Sequence, residues 1–358
     1  MFARRLRSRA AEGDRMIERA KDTSKLALPT PHTRRQLLLA TLPAALLGAC
    51  GVGGKARVVG FVTWSRTDLY SLAAVRGAQE AADELKLVLR HEGPPNGEAN
   101  LQGQIVDDLV ADRVDAIAIS PVEPNALAAS LLRARNQGIK VNAWDAETQR
   151  PSRGVFLRSS DQRAMGELIA DLMMRSVGYS GDLLMVTQSL TDWNMAAWMA
   201  AIQKRVAERA PGLVIRQTLV GQRDPAKDTA QIVAYLRAHP TTKGIFTVDD
   251  ASEANAAEAV MRLGIPPGQI AIIGIGAPNT IRPYVAKGVI KSSVMWNPID
   301  LGYAAVYIAH GQMVGSLKRS NLAVRAGRLP DLKFHGADEL LLGPPTIFDA
   351  TNIGGLNF

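Results

Sequence analysis

Beyond residue 56 the chain alternates short runs of aliphatic and β-branched residues with longer stretches in which apolar positions recur every three or four residues. The short runs predict strands at 57–64, 87–92, 116–120, 140–145, 155–159, 182–188, 214–220, 244–249, 270–276 and 290–296. Between most of them the helical period predicts helices such as 71–84, 100–111, 126–137, 163–176, 193–209 and 228–239. The strands are continuously apolar, as they are when helices cover both faces of a parallel sheet. Ten strands exceed one comfortable sheet and predict two doubly wound α/β lobes. A TIM barrel, the competing α/β architecture, needs eight regular units and no crossings. The first lobe should end near Leu157, where a strand runs into Arg158-Ser159-Ser160-Asp161 without turn residues. The tail from Leu329 is rich in Gly and Pro and is expected to carry late strands or a return crossing.

Ligands of open α/β sheets bind beyond the carboxyl ends of the strands, where loops and helix N-termini converge. This chain places unusual residues there. The first strand ends in Trp64, followed by Asp68 and Tyr70; the fourth ends in Trp144-Asp145; the sixth leads to Asp192-Trp193; later ends carry Asp249-Asp250 and Trp296-Asn297. Aromatic faces stack on the C–H faces of a sugar or polyol, while carboxylates and amides take its hydroxyls. The visible cations at these ends are Arg66 and Arg158, too few for an anionic ligand. Each residue also has a structural reading: Trp as packing, Asp before a helix as an N-cap, with Asp192 and Asp249 most open to it.

Charge changes the picture at the N-terminus. Of the net +8, +6 falls in residues 1–49, which hold ten Lys and Arg against four Asp and Glu. The remainder lacks the basic face expected of a nucleic-acid binder. Residues 33–50 run from Arg34-Arg35 through an apolar stretch to Leu47-Gly48-Ala49-Cys50, the layout of an export signal too short to span a bilayer. The pair of arginines resembles a Tat signal, and the four residues ending in Cys50 resemble the lipobox of bacterial lipoproteins. Cys50 is the only cysteine, so no intramolecular disulfide or CxxC site forms.

Enzyme signatures are thin. The five His are scattered, and no HExxH, GxSxG or P-loop occurs. No catalytic residue, metal or cofactor is expected.

From about residue 57 onward the chain resembles the periplasmic sugar-binding proteins of the ribose-binding type that serve ABC importers. The matching stretches are Arg76-Gly77-Ala78-Gln79, Ala118-Ile119-Ser120-Pro121 and Ile272-Ile273-Gly274. A closer likeness, to the autoinducer-2-binding and rhamnose-binding members, lies in residues 143–148, Thr191-Asp192, the Pro278-Asn279 to Tyr284-Val285 stretch, and the closing 347–358. The resemblance implies a type I periplasmic binding protein: two lobes, three hinge crossovers and a ligand in the cleft. It implies an N-terminal lobe of 56–158 plus about 297–335 and a C-terminal lobe of 159–296 plus about 336–358. Carried over by position, Asp145 is the hydroxyl-binding aspartate, Asp68 and Tyr70 are first-loop contacts, Asp192 is the aspartate used by the autoinducer binder, and Asp249 and Trp296 are later contacts. The chain departs from that pattern at Trp64, Trp193 and Asp250, which stand where the autoinducer binder has lysine, glutamine and a small residue, and at Ala146 and Gly276, where ribose binders have arginine and aspartate. The expected ligand site is therefore Trp64, Asp68, Tyr70, Asp145, Asp192, Trp193, Asp249, Trp296 and Asn297, richer in Trp than the relatives. The expected function is a monomeric sugar receptor, lipid-anchored at Cys50 and delivering to an ABC permease and its ATPase. A sensory receptor feeding a membrane kinase is the alternative; a LacI-type regulator needs an N-terminal helix-turn-helix, and in that place this chain has the apolar stretch running into Cys50.

Overall fold

Alternating strands and helices of the predicted kind build the chain, and the order in which the strands pair determines where a ligand can sit. In the computed structural model residues 56–317 and 323–358 are described. The export segment and Cys50 lie outside the described residues. The first half contains β1 (Val58–Val62), α1 (Leu69–Leu85), β2 (Val88–Glu92), α2 (Ala99–Ala111), β3 (Ala116–Ile119), α3 (Ala128–Asn136), β4 (Lys140–Trp144) and β5 (Val155–Arg158). The second half contains α4 (Gln162–Val177), β6 (Ser180–Thr187), α5 (Trp193–Arg209), β7 (Gly212–Val220), α6 (Pro225–Ala238), β8 (Thr242–Thr247), α7 (Asp250–Arg262), β9 (Ala271–Gly274), α8 (Pro278–Ala286) and β10 (Ser293–Met295). The return segment is α9 (Pro298–Met313), β11 (Ala323–Val324), β12 (Leu332–Phe334), β13 (Glu339–Leu341) and β14 (Thr346–Phe348).

The first sheet has the order β11-β12-β13-β5-β4-β3-β1-β2. From β13 to β2 every pairing is parallel, and β11 and β12 join antiparallel. The second sheet has the order β7-β6-β8-β9, all parallel, with β10 attached through an Ile275–Val294 bridge and paired antiparallel to β14. Each lobe therefore reverses strand order at one place, between β1 and β3 and between β6 and β8. A crevice opens at the carboxyl ends there, because the connections diverge to opposite faces.

The chain passes between lobes after β5, after β10 and after β13. The first of these passages follows Arg158, at the end of β5, and leads into α4. The third lies after Leu341 rather than near 335, a correction to the expected boundary. Strand β13 pairs in parallel with β5 (Glu339 opposite Phe156), so residues through 341 belong to the first sheet. Helix α9 covers the first lobe against α1, with close backbone approach at Gly77 and Gly302.

Candidate functional site

Strand ends facing the cleft carry Asp and Asn because the helices they open have N–H groups without intrahelical partners. Asp68 Oδ1 accepts from the Ser71 amide (2.8 Å), Asp192 Oδ1 from Met195 (3.0 Å), Asp249 Oδ1 from Ser252 (2.8 Å) and Asn297 Oδ1 from Ile299 (2.9 Å). The cap reading thus holds for four expected site residues, but a cap occupies only one oxygen. Asp249 uses its second as well, accepting from the Gln188 amide and the Ser252 hydroxyl, so it ties α7 to the loop after β6. Burial pushes its carboxyl up to about 6, against the pull of those donors. Asp68 differs: its Oδ2 is buried and has no donor.

Asp145 caps nothing. The chain turns sharply after β4, placing Asp145 at φ 64, a left-handed conformation that Asp tolerates better than most residues. Its carboxylate lies beside the Tyr70 and Ser159 hydroxyls, with Asp192 and Asp68 close enough to repel it. Burial first, then those carboxylates, push its pKa up to about 7. Its Oδ1 is buried without a donor. Trp296 Nε1 donates to the Tyr70 hydroxyl (2.9 Å), leaving the phenol proton to face Asp145. Burial and the Asp145 charge hold Tyr70 well above the usual phenol range. Trp296 stands edge-on to Tyr70 and packs against Trp198 at 5.6 Å between ring centres.

The structure therefore brings together Asp68, Tyr70, Asp145, Asp192 and Trp296, drawn from both lobes and the second crossing. Other residues at these strand ends make contacts of their own. Trp64 stacks under the Arg223 guanidinium (5.0 Å) of the opposite lobe, and a side chain on Gly97 would collide with its ring. Trp193 is 37% exposed, edge-on to Phe156 and under Arg158, which is itself held by Glu339 at 2.8 Å. Asn297 caps α9. Trp144 is fully buried and stacked on Phe61 at 4.9 Å, so it is core.

Sequence reasoning missed four features. Trp198 sits on the buried face of α5, a position that reads as helix interior. Arg223 follows an edge strand in a turn held by Gln188 and Asp228. The Ser159 and Ser160 hydroxyls, in the first crossing, are buried without partners. Glu253 is fully buried on α7 and accepts from Ser293 Oγ (2.6 Å); burial raises it to about 8. Among the described residues no group of three or more His, Cys, Asp or Glu is arranged to hold a metal ion.

Comparison with known proteins adds a second line of observation. A family model described as the periplasmic binding protein domain matches residues 59–316. A D-ribose/D-allose-binding protein of Pseudomonas aeruginosa is 24% identical over 220 residues, a match spanning 59% of this chain and 66% of that protein. The chain thus covers just under two thirds of that curated relative. An ABC transporter solute binding protein from Clostridium phytofermentas with bound L-rhamnose gives a TM-score of 0.75 at 22% identity, covering 84% of this chain and 98% of that one. LsrB from Clostridium saccharobutylicum in complex with AI-2 gives 0.76 at 18% identity, covering 84% and 100%. At such identities the likeness is one of fold.

Proposed function

The chain belongs to the periplasmic binding protein family, and from that premise we propose that it is the solute receptor of an ABC importer, holding a sugar or similar polyhydroxylated compound between its lobes. The observation that carries this reading is the set of buried oxygens without partners at the lobe junction: Asp68 Oδ2, Asp145 Oδ1 and the Ser160 hydroxyl. Buried polar atoms are rarely left unpaired, because each costs about 1–3 kcal/mol. The hydroxyls of a polyol supply the missing partners, and the rings of Trp296 and Tyr70 offer faces and edges to its C–H surface. The ribose/allose relative and the rhamnose-bound neighbour carry names that favour the same class.

The ligand-binding residues in this reading are Asp68, Tyr70, Asp145, Asp192 and Trp296, with Trp64 at the mouth and Trp193, Asp249 and Asn297 shaping the surrounding loops. The work is binding, not catalysis. Family membership places the chain in the periplasm, and among the described residues no helix is long and apolar enough to cross a membrane. We read the leader as a Tat-like signal and Cys50 as a lipid anchor that keeps a monomer beside its permease and ATPase. Thermal-shift screening followed by calorimetry with pentoses, hexoses, deoxyhexoses, polyols and autoinducer-2 tests the reading. A stabilising sugar of micromolar or tighter affinity is expected; silence across the panel would overturn it.

A further inference from the structure

We propose that the cleft selects a protonated amine bearing hydroxyls, of the amino-sugar class, over the uncharged sugar of the same shape. This rests on the receptor reading above and sharpens its ligand. Three carboxylates meet at the lobe junction: Asp68 from the turn into α1, Asp145 from the end of β4, and Asp192 from the turn into α5. Asp68 Oδ2 and Asp145 Oδ1 are buried and lack donors.

Among the described residues none of the three forms an ion pair. The nearby cations are engaged elsewhere. Arg158 is held by Glu339 at 2.8 Å and stacks on Phe156 and Trp193. Arg223 lies over Trp64, and exposed Arg66 faces Glu92 at 3.8 Å. Closing the lobes therefore gathers like charges with nothing opposite them, which is costly unless a cation or a proton arrives.

An uncharged sugar brings hydroxyl donors but no opposite charge, so beside it Asp145 stays protonated, the form that its burial already favours. An ammonium group brings three donors and the charge together. The aromatic residues favour it too: Tyr70 adjoins Asp145, Trp296 packs against Tyr70 and Trp198 against Trp296, and ring faces attract cations. A separate observation calls for hydroxyls on the same ligand. Trp198 is 4% exposed with its Nε1 donor unpartnered, and fully buried Ser160 has a free hydroxyl beside Ser159. A plain alkylamine satisfies neither.

The test is calorimetry of the full chain at pH 6.5 with 2-amino and 6-amino hexoses, their uncharged parents and their N-acetyl forms. One amino sugar is expected to bind at least about tenfold tighter than its parent, with the advantage lost on N-acetylation and reduced by salt. Asp192→Asn separates charge from structure, because Asn caps α5 as well as Asp does; it should shrink the gap between amine and parent while leaving the melting temperature unchanged. A parent sugar that binds as tightly as its amine overturns this inference and leaves the sugar-receptor reading intact. Binding by none of them also overturns this inference, and the wider panel of pentoses, deoxyhexoses and polyols then decides the receptor reading.

Discussion

Asp145 shows how one residue carries both the proposed ligand contact and its cost. Its left-handed backbone, buried oxygen and raised pKa all mean that the folded chain holds a carboxylate where it is poorly solvated. Asp145→Ala is expected to weaken ligand binding by about 1.5–3 kcal/mol, the usual worth of hydrogen bonds to a charged acceptor. Asp145→Asn is the control: Asn tolerates the same φ, so its fold should survive and calorimetry then reads the loss of charge alone. Unchanged affinity in both variants would remove Asp145 from the site. The sequence showed Asp at strand ends, but capping and ligand binding require the same residue at the same place. Only the second oxygen separates them, spent within the protein at Asp249 and bare at Asp68. The Trp residues divide in the same way: Trp144 stacks in the core, Trp64 meets Arg223, and the unselected Trp198 packs beside the cluster.

Elements were legible where their pattern was long and regular. The ten predicted strands all appear, because buried parallel strands announce themselves as continuous apolar runs. Helix α9 does not announce itself; its residues are buried on nearly every side, so no polar stripe marks a period. Strands β11 to β14 are two or three residues long and give no run to detect, so the sequence alone puts the third crossing too early. The Gly77 of the family-like first helix acquires a physical reason here. A Cβ at Gly77 would strike the Ile299 carbonyl, and one at Gly302 the Ala74 carbonyl, so α1 and α9 touch backbone to backbone. Ala in a helix gains about 1 kcal/mol over Gly, but a clash with backbone finds no relief in a rotamer change. Gly302→Ala should therefore lower stability by roughly 1–3 kcal/mol in urea unfolding despite its better propensity. A higher midpoint would mean that the two helices separate freely.

At the scale of the whole molecule, function depends on how the lobes meet, and several of the contacts between them are at the surface. Arg223 covers Trp64, Arg76 donates to the Asn357 carbonyl (2.7 Å), and Trp193 meets Phe156. An exposed cation–π pair is worth only about 0.5–1 kcal/mol. Such contacts bias closure without enforcing it, so a ligand touching both lobes can shift the population by its preference for the closed form. Arg223 sits at φ 59, where glycine is the least strained replacement, so Arg223→Gly removes the guanidinium and spares the turn. Losing that bias should make the ligand-free protein more extended in X-ray scattering and raise the dissociation constant about two- to fivefold, the factor corresponding to 0.5–1 kcal/mol. The ligand-saturated scattering profile should not change, because bound ligand supplies far more closing energy than one cation–π pair. Affinity equal to that of the parent protein would show that the Arg223–Trp64 contact does not bias closure, and would leave the proposed bridging of Asp68, Asp145 and Asp192 by the ligand as what holds the lobes together.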